Sequence, residues 1–211
     1  MDIPKVEKDG NVAYENFATE PELLRAKSAL RECRLGATAA ADTVRRFDTA
    51  ADCDEATALR LRRAFGLRVG MASHADLFDL LKSYLLALEV ALQSRPLRLV
   101  NRPDIIVSHL PIERPVPEPP GAPMQAPTSG DFQGFRIICG TPFLRDRTPH
   151  AAAAMLYHEL SHRICGTKDL ALGEQACREL TGGSPRRAIE NADNHGLFVL
   201  GLLNERLTDA A

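Results

Sequence analysis

The 211-residue chain has no tryptophan, and aromatic residues make up only 5% of it. So little aromatic surface argues against a β-sandwich, whose strands rely on aromatic and β-branched side chains. Neither sign of charge dominates, the formal net charge being −2. A broad basic surface for nucleic acid is therefore not expected. A long uncharged apolar run is also missing. The most apolar stretch, residues 73–94, carries Asp79, Lys82 and Glu89 and reads as a core helix, not a membrane span. The N-terminus MDIPKVEKDGNVAYENFATE lacks the apolar centre of a signal peptide. Cytosolic residence, export by a non-classical route, or a processed mature form is expected. No Cys-x-x-Cys pair occurs. Cys33, Cys53, Cys139, Cys165 and Cys177 are scattered, and an odd number argues against a complete disulfide framework. Mostly reduced thiols are expected, with room left for one or two bridges.

What is present is alanine, leucine and enough apolar content, 45%, for a real core. These residues favour helix. Residues 1–18 read as a flexible arm, and 19–211 as a single domain. Thr19-Glu20-Pro21-Glu22 is a helix start, with Thr as cap and Glu22 at the capping-box position. That helix runs to about Phe47, with a break expected at Gly36. Asp52 with Glu55 resembles a second cap, for a helix that stops at Gly66. Ser73 opens a third. LRLV (97–100) and DIIVSHL (104–110) then look like strands, as does GFRIICG (134–140). The Pro-rich stretch 111–130 between them reads as a surface loop within the same domain. Thr148-Pro149 and Ser184-Pro185 each open a further helix. The expected fold is α+β and mainly helical, with a small sheet beside the helix that starts at Pro149.

That helix contains HELSHRICGTKD, residues 158–169. His158 and His162 are four apart, so both imidazoles fall on one helical face and can share a metal ion. Glu159 lies about 100° around the helix. It can reach a metal-activated water without ligating the metal, and act as general base. A catalytic zinc needs a third protein ligand and an open position. Gly166 suits a left-handed helix end, after which the chain can reverse and return Asp169 to the histidines. Polar groups placed this deep in an apolar helix are costly without partners. The plain alternative is a pair of solvated or hydrogen-bonded histidines that hold nothing.

HELSH, then GTKD, then NADNH (191–195) resembles the aspzincin metalloendopeptidases, the family of deuterolysin and the peptidyl-Lys metalloendopeptidases. FRIICGTPF and RRAFG add fainter likeness. The resemblance covers about residues 20–205 and is strongest over 135–200. It implies a zincin-like domain with one zinc ion per chain, held by His158, His162 and Asp169, with Glu159 as base. It implies protein or peptide substrates. It matches Asp193 to an acid that receives a substrate lysine in the Lys-specific members, which implies a preference for basic residues. One departure stands out. The family's turn carries a tyrosine that stabilises the oxyanion, and Leu172 stands there instead. Loss of one such donor costs about a hundredfold or more in rate. His195 and any backbone amide are candidate substitutes.

Other residues carry weaker signals. Glu174, Glu179 and Glu190 are alternative third ligands, though their spacing fits poorly. Cys165 and Cys177 flank the stretch and are read as buried thiols. His74 and His109 are read as structural, and His150 as a remote alternative ligand. Two further readings share the same fold. One is a zinc-stabilised binding module that has lost activity with the tyrosine. The other is a delivered protease toxin whose partner is an inhibitor or immunity protein.

Overall fold

A computed structural model describes residues 6–102, 135–140 and 147–209. Four strands form one sheet in sequence order: β1 (Val6–Asp9), β2 (Val12–Glu15), β3 (Leu97–Arg102) and β4 (Phe135–Gly140). β1 and β2 are an antiparallel hairpin; β2–β3 and β3–β4 are parallel. Three helices cross over between β2 and β3: α1 (Glu20–Arg45), α2 (Glu55–Phe65) and α3 (Ala75–Ser94). After β4 come α4 (Pro149–Cys165), α5 (Glu174–Gly183), α6 (Pro185–Ile189) and α7 (Ala192–Asp209). The mainly helical α+β expectation holds. The LRLV and GFRIICG segments pair as β3 and β4, and α4 touches β4.

Residues 6–15 overturn the expectation of an N-terminal arm. Val12 and Tyr14 are buried and join the same core as Leu97, Leu99, Ile137 and Cys139. Val12, Ala13 and Tyr14 form a short apolar run, all buried, that becomes a strand once β3 offers an open edge. Gly36 does not break α1. A Cβ there would lie 2.4 Å from Val199 Cγ1, so glycine lets α7 approach α1. The cap of α2 is Asp54, which accepts from Thr57 N at 2.7 Å, while Asp52 caps the preceding single turn with Thr49. A 3-10 turn, Ala72–His74, precedes α3, and its His74 Nδ1 accepts from Arg68 N at 2.9 Å. The expected last helix is split into α6 and α7, and α5 was not foreseen. DIIVSHL, His109 and the Pro-rich stretch 111–130 lie outside the described residues.

Two of the charged residues of α3 reach partners, while Asp79 is exposed. Glu89 is buried and pairs with Arg45 of α1, and Lys82 Nζ donates to Phe47 O at 2.5 Å. The first contact gives an otherwise costly buried charge a partner, and the second anchors a half-buried one. No helix among the described residues is long and apolar enough to cross a membrane. All five cysteines are free thiols.

The helix that carries the site, α4, packs against α7, α1 and α3. Residues Ala152 to Ser161 are all buried. The alanines bring neighbouring helices close. At the crossing with α7 the contact is closer still, because a Cβ on Gly196 would fall 2.9 Å from Ala154 O and 3.4 Å from His158 Cβ. Thr148 caps α4 by accepting from Ala151 N at 3.2 Å, and Gly166 ends it at φ 70°. Both ends therefore follow the sequence signals, and the register of His158 and His162 against the core is fixed.

Candidate metal centre

The two histidines sit on the last turns of α4 with opposite solvent access. His158 is buried, whereas His162 is partly open. Each uses Nδ1 for a fixed protein partner. His158 Nδ1 donates to Asp193 Oδ1 at 2.8 Å, and His162 Nδ1 donates to Thr167 O at 2.8 Å. These bonds select the tautomer that leaves both Nε2 lone pairs free. Ser161 supports the same turn. Its Oγ donates to His158 O at 2.6 Å and lies 2.7 Å from Thr167 Oγ1.

Asp169 Oδ1 completes the set. It lies 3.2 Å from His158 Nε2 and 3.3 Å from His162 Nε2, while the two Nε2 atoms are 3.1 Å apart. Three ligands of a tetrahedral zinc at about 2.0–2.1 Å are separated by roughly 3.3 Å. The donor triangle has that size, and its atoms are two imidazole nitrogens and a carboxylate oxygen, a set suited to zinc. Among the described residues, these three side chains form the cluster whose ligand atoms lie within 4.8 Å of one another. Glu159 is 6% exposed, with Oε1 3.9 Å from His158 Nε2. It stands beside the triangle without belonging to it.

The charges interact strongly. Burial lowers the His158 pKa, but the Asp193 hydrogen bond and the charges of Glu159, Asp193 and Asp169 outweigh it, and the net shift is upward. Burial raises the Asp193 pKa, yet the bonds from His158 and Gly173 N and the nearby imidazoles bring it below its ordinary value. This patch of carboxylates favours a cation.

Asp193 departs from its expected place in a lysine pocket. Oδ1 is taken by His158, and Oδ2 accepts from Gly173 N at 2.6 Å. It serves as the partner that orients His158. His195 is corrected outright. It is fully buried, its Nε2 donates to Ile189 O at 2.7 Å, and its ring packs on Phe65 and Tyr84. It faces core, not cleft, and so cannot replace the oxyanion tyrosine or bind substrate. Leu172 is 55% exposed and offers no donor.

The alternative ligands point elsewhere. Glu174 pairs with Arg178, Glu179 accepts from Gln175, and Glu190 pairs with Arg186. His150 Nδ1 lies 3.1 Å from Asn204 Oδ1. Cys165 and Cys177 each lie 3.7 Å from a backbone carbonyl, of Tyr84 and Ala171. Sequence reasoning missed Asn191, buried against the loop that carries Asp169, and Asn194, buried behind it. Their signal was two asparagines three apart in NADNH, where only Asp193 and His195 drew attention.

The family described as lysine-specific metallo-endopeptidase, the aspzincins, matches residues 137–200. A peptidyl-Lys metalloendopeptidase of Armillaria mellea is 49% identical over 69 residues, which are 31% of this chain and 20% of that protein. An extracellular protease of Aeromonas hydrophila is 44% identical over 49 residues, 22% of this chain and 14% of that protein. A peptidyl-Lys metalloendopeptidase of Grifola frondosa is 40% identical over 68 residues, 31% of this chain and 20% of that protein. The matched segment thus spans a fifth or less of each of these relatives. The fold extends further. A solved zinc peptidase from Grifola frondosa superposes with a TM-score of 0.59 at 18% identity, over 87% of this chain and 97% of that one. The sequence likeness to the aspzincins covers residues 137–200, and the likeness of fold to a zinc peptidase extends over most of the chain.

Proposed function

We propose that the protein is a zinc metalloendopeptidase with one zinc ion per chain, acting on protein or peptide substrates. The observation that carries this reading is the triangle of His158 Nε2, His162 Nε2 and Asp169 Oδ1, edges 3.1–3.3 Å, with buried Glu159 alongside. When bound, zinc supplies a Lewis acid that polarises the substrate carbonyl and acidifies a water. His158, His162 and Asp169 would hold it. Glu159 takes the water's proton at its carboxylate and passes it to the departing amine. Asp193 keeps His158 in the required tautomer throughout. A preference for basic side chains beside the cut bond is supported by the likeness of residues 137–200 to the lysine-specific metallo-endopeptidases, not by Asp193, whose two oxygens are already bonded.

The test pairs zinc content with peptide cleavage on one preparation, beside Asp169→Ala and Glu159→Gln. A denatured lysine-containing protein is the substrate, and cut sites are read by mass spectrometry. One zinc per chain is expected, lost from Asp169→Ala and kept in Glu159→Gln, with cleavage lost in both. Cuts beside lysine or arginine support the basic preference; unrestricted cuts reject it. Leu172, where the family's tyrosine is absent, favours a second reading: a zinc-stabilised binding module. Full zinc binding without any cleavage would move the assignment there.

A further inference from the structure

The loop between α4 and α5 carries Asp169, yet little of it is held by packing. The Asp169 side chain is 46% exposed, and the loop begins and ends on left-handed glycines, Gly166 at φ 70° and Gly173 at φ 81°. What holds it is the segment between α6 and α7. On one side of Asp169, Lys168 N donates to Glu190 O at 2.8 Å, and Ala192 N donates to Lys168 O at 3.0 Å. On the other side Asp193 takes Gly173 N at the loop's end, and Asn191 holds the two residues that directly follow Asp169. Asn191 Oδ1 accepts from Leu170 N at 2.8 Å and from Ala171 N at 3.0 Å, while its Nδ2 donates to Ala171 O at 3.1 Å.

The Asn191 amide is itself fixed. It is completely buried, and its Nδ2 also donates to Asn194 Oδ1 at 2.7 Å. Asn194 in turn donates from Nδ2 to Ala64 O at 2.7 Å and to Thr181 Oγ1 at 3.2 Å. The Ala64 carbonyl can only accept, so the Asn194 amide has one allowed orientation, and Asn191 follows from it. The chain of bonds runs from the end of α2, through α7, to both peptide groups that follow Asp169. A buried network in which every amide is satisfied is rigid, and removing one member leaves several backbone groups unpaired.

We propose that Asn191 is the positioning residue for the third metal ligand: its buried amide sets where Asp169 stands relative to His158 and His162, and so sets the metal affinity. The inference rests on the zinc reading above. Leucine at 191 has similar volume but cannot bond Leu170 N, Ala171 N or Ala171 O. Aspartate would keep an acceptor but lose the donors and bury a charge facing Ala171 O and Asn194 Oδ1.

The test is a chelator competition that gives the zinc Kd of the full chain and of Asn191→Leu, Asp169→Ala and the double variant. Thermal unfolding of each metal-free form runs in parallel. Asn191→Leu is expected to weaken zinc binding about 10–100-fold, the usual effect of losing a partner that orients a ligand. Combined with Asp169→Ala it is expected to add almost nothing, because it acts through that carboxylate. A purely structural role would lower metal-free stability and give effects on Kd that add. An unchanged Kd in Asn191→Leu, or full additivity in the double variant, overturns the inference while the zinc reading stands. If the unsubstituted chain binds no zinc, the zinc reading fails first and the inference with it. Asn194→Ala frees the Asn191 amide without touching the loop, and covers the case in which Asn191→Leu does not fold. It is expected to weaken zinc binding several-fold, and an unchanged Kd there equally overturns the inference.

Discussion

His158 and His162 stand on a helix whose preceding residues, Ala152 to Leu156, are all buried, and which is capped at both ends by its own sequence. Asp169 stands seven residues after His162 on a half-exposed loop with no cap and no core of its own. The helical half of the site is placed by close packing, where a shift of one methylene is felt. The loop half is placed by hydrogen bonds to the end of α4, to the segment between α6 and α7, and to the start of α7. Asp193 joins the halves, with one oxygen on His158 and the other on Gly173 N. The two halves differ in how they can be damaged: packing fails through volume and buried charge, bonding through the loss of single polar atoms.

Several experiments separate the halves. The largest effect is expected at Glu159, on the helical half. Glu159→Gln keeps the volume and removes the base, so cleavage should fall about 10²–10⁴-fold. Zinc content and unfolding midpoint should stay as they were, measured on the same samples.

Acid should attack the helical half from behind. Burial, partly offset by the bond to Ile189 O and reinforced by the charge of His158, pushes His195 down from 6.5 to about 4. Its Nδ1 is buried with no partner, so a proton there would be unpaired. The native state therefore binds this proton more weakly than the unfolded chain. The stability from a neutral His195 is complete above about pH 6.5 and is lost as pH falls toward about 4. The difference is about 3 kcal/mol. Urea unfolding of the metal-free protein between pH 7 and 4 checks it. A His195→Gln variant should show a shallower decline over that window; an equal slope would remove His195 as the cause.

Asp193→Asn tests the join. An asparagine can accept from His158 Nδ1 or from Gly173 N, but its NH2 group must then face the other donor. Zinc binding should weaken about 10–100-fold, measured by chelator competition. If only cleavage specificity changes, Asp193 belongs to substrate recognition after all. The smallest effect is expected at Thr148→Ala, which removes the α4 cap and should cost about 1 kcal/mol. The unfolding midpoint should drop while zinc affinity per folded molecule stays constant, since the cap lies at the far end of the helix from the site.

Much of this was legible in the chain. Thr148-Pro149 and Gly166 bounded the metal helix correctly, because caps and left-handed ends depend on residues a few positions apart. His158, Glu159 and His162 were legible for the same reason: helical period alone puts them together. The hairpin at residues 6–15 was not, because a four-residue strand gains its stability from β3, eighty residues later. His195 was misjudged because it stands two residues beyond Asp193, about 200° around α7, so Asp193 faces the site while it faces Phe65. Asn191 and Asn194 were invisible as supports because nothing local distinguishes a buried amide from a surface one.

The sequence by itself determined the donors and their chemistry: two imidazoles on one helical face, a carboxylate beside them, and a glycine that lets the chain turn back. These follow from φ/ψ preferences and helical spacing, which act over a single turn. The tertiary structure decided the rest. It set the tautomer of His158 through Asp193, the position of Asp169 through Asn191, and the exclusion of His195 from the cleft. Each depends on a bond or a burial between residues on different elements. Only the packed chain brings those partners within 3 Å, where hydrogen bonds are strong and an unpaired polar group is costly.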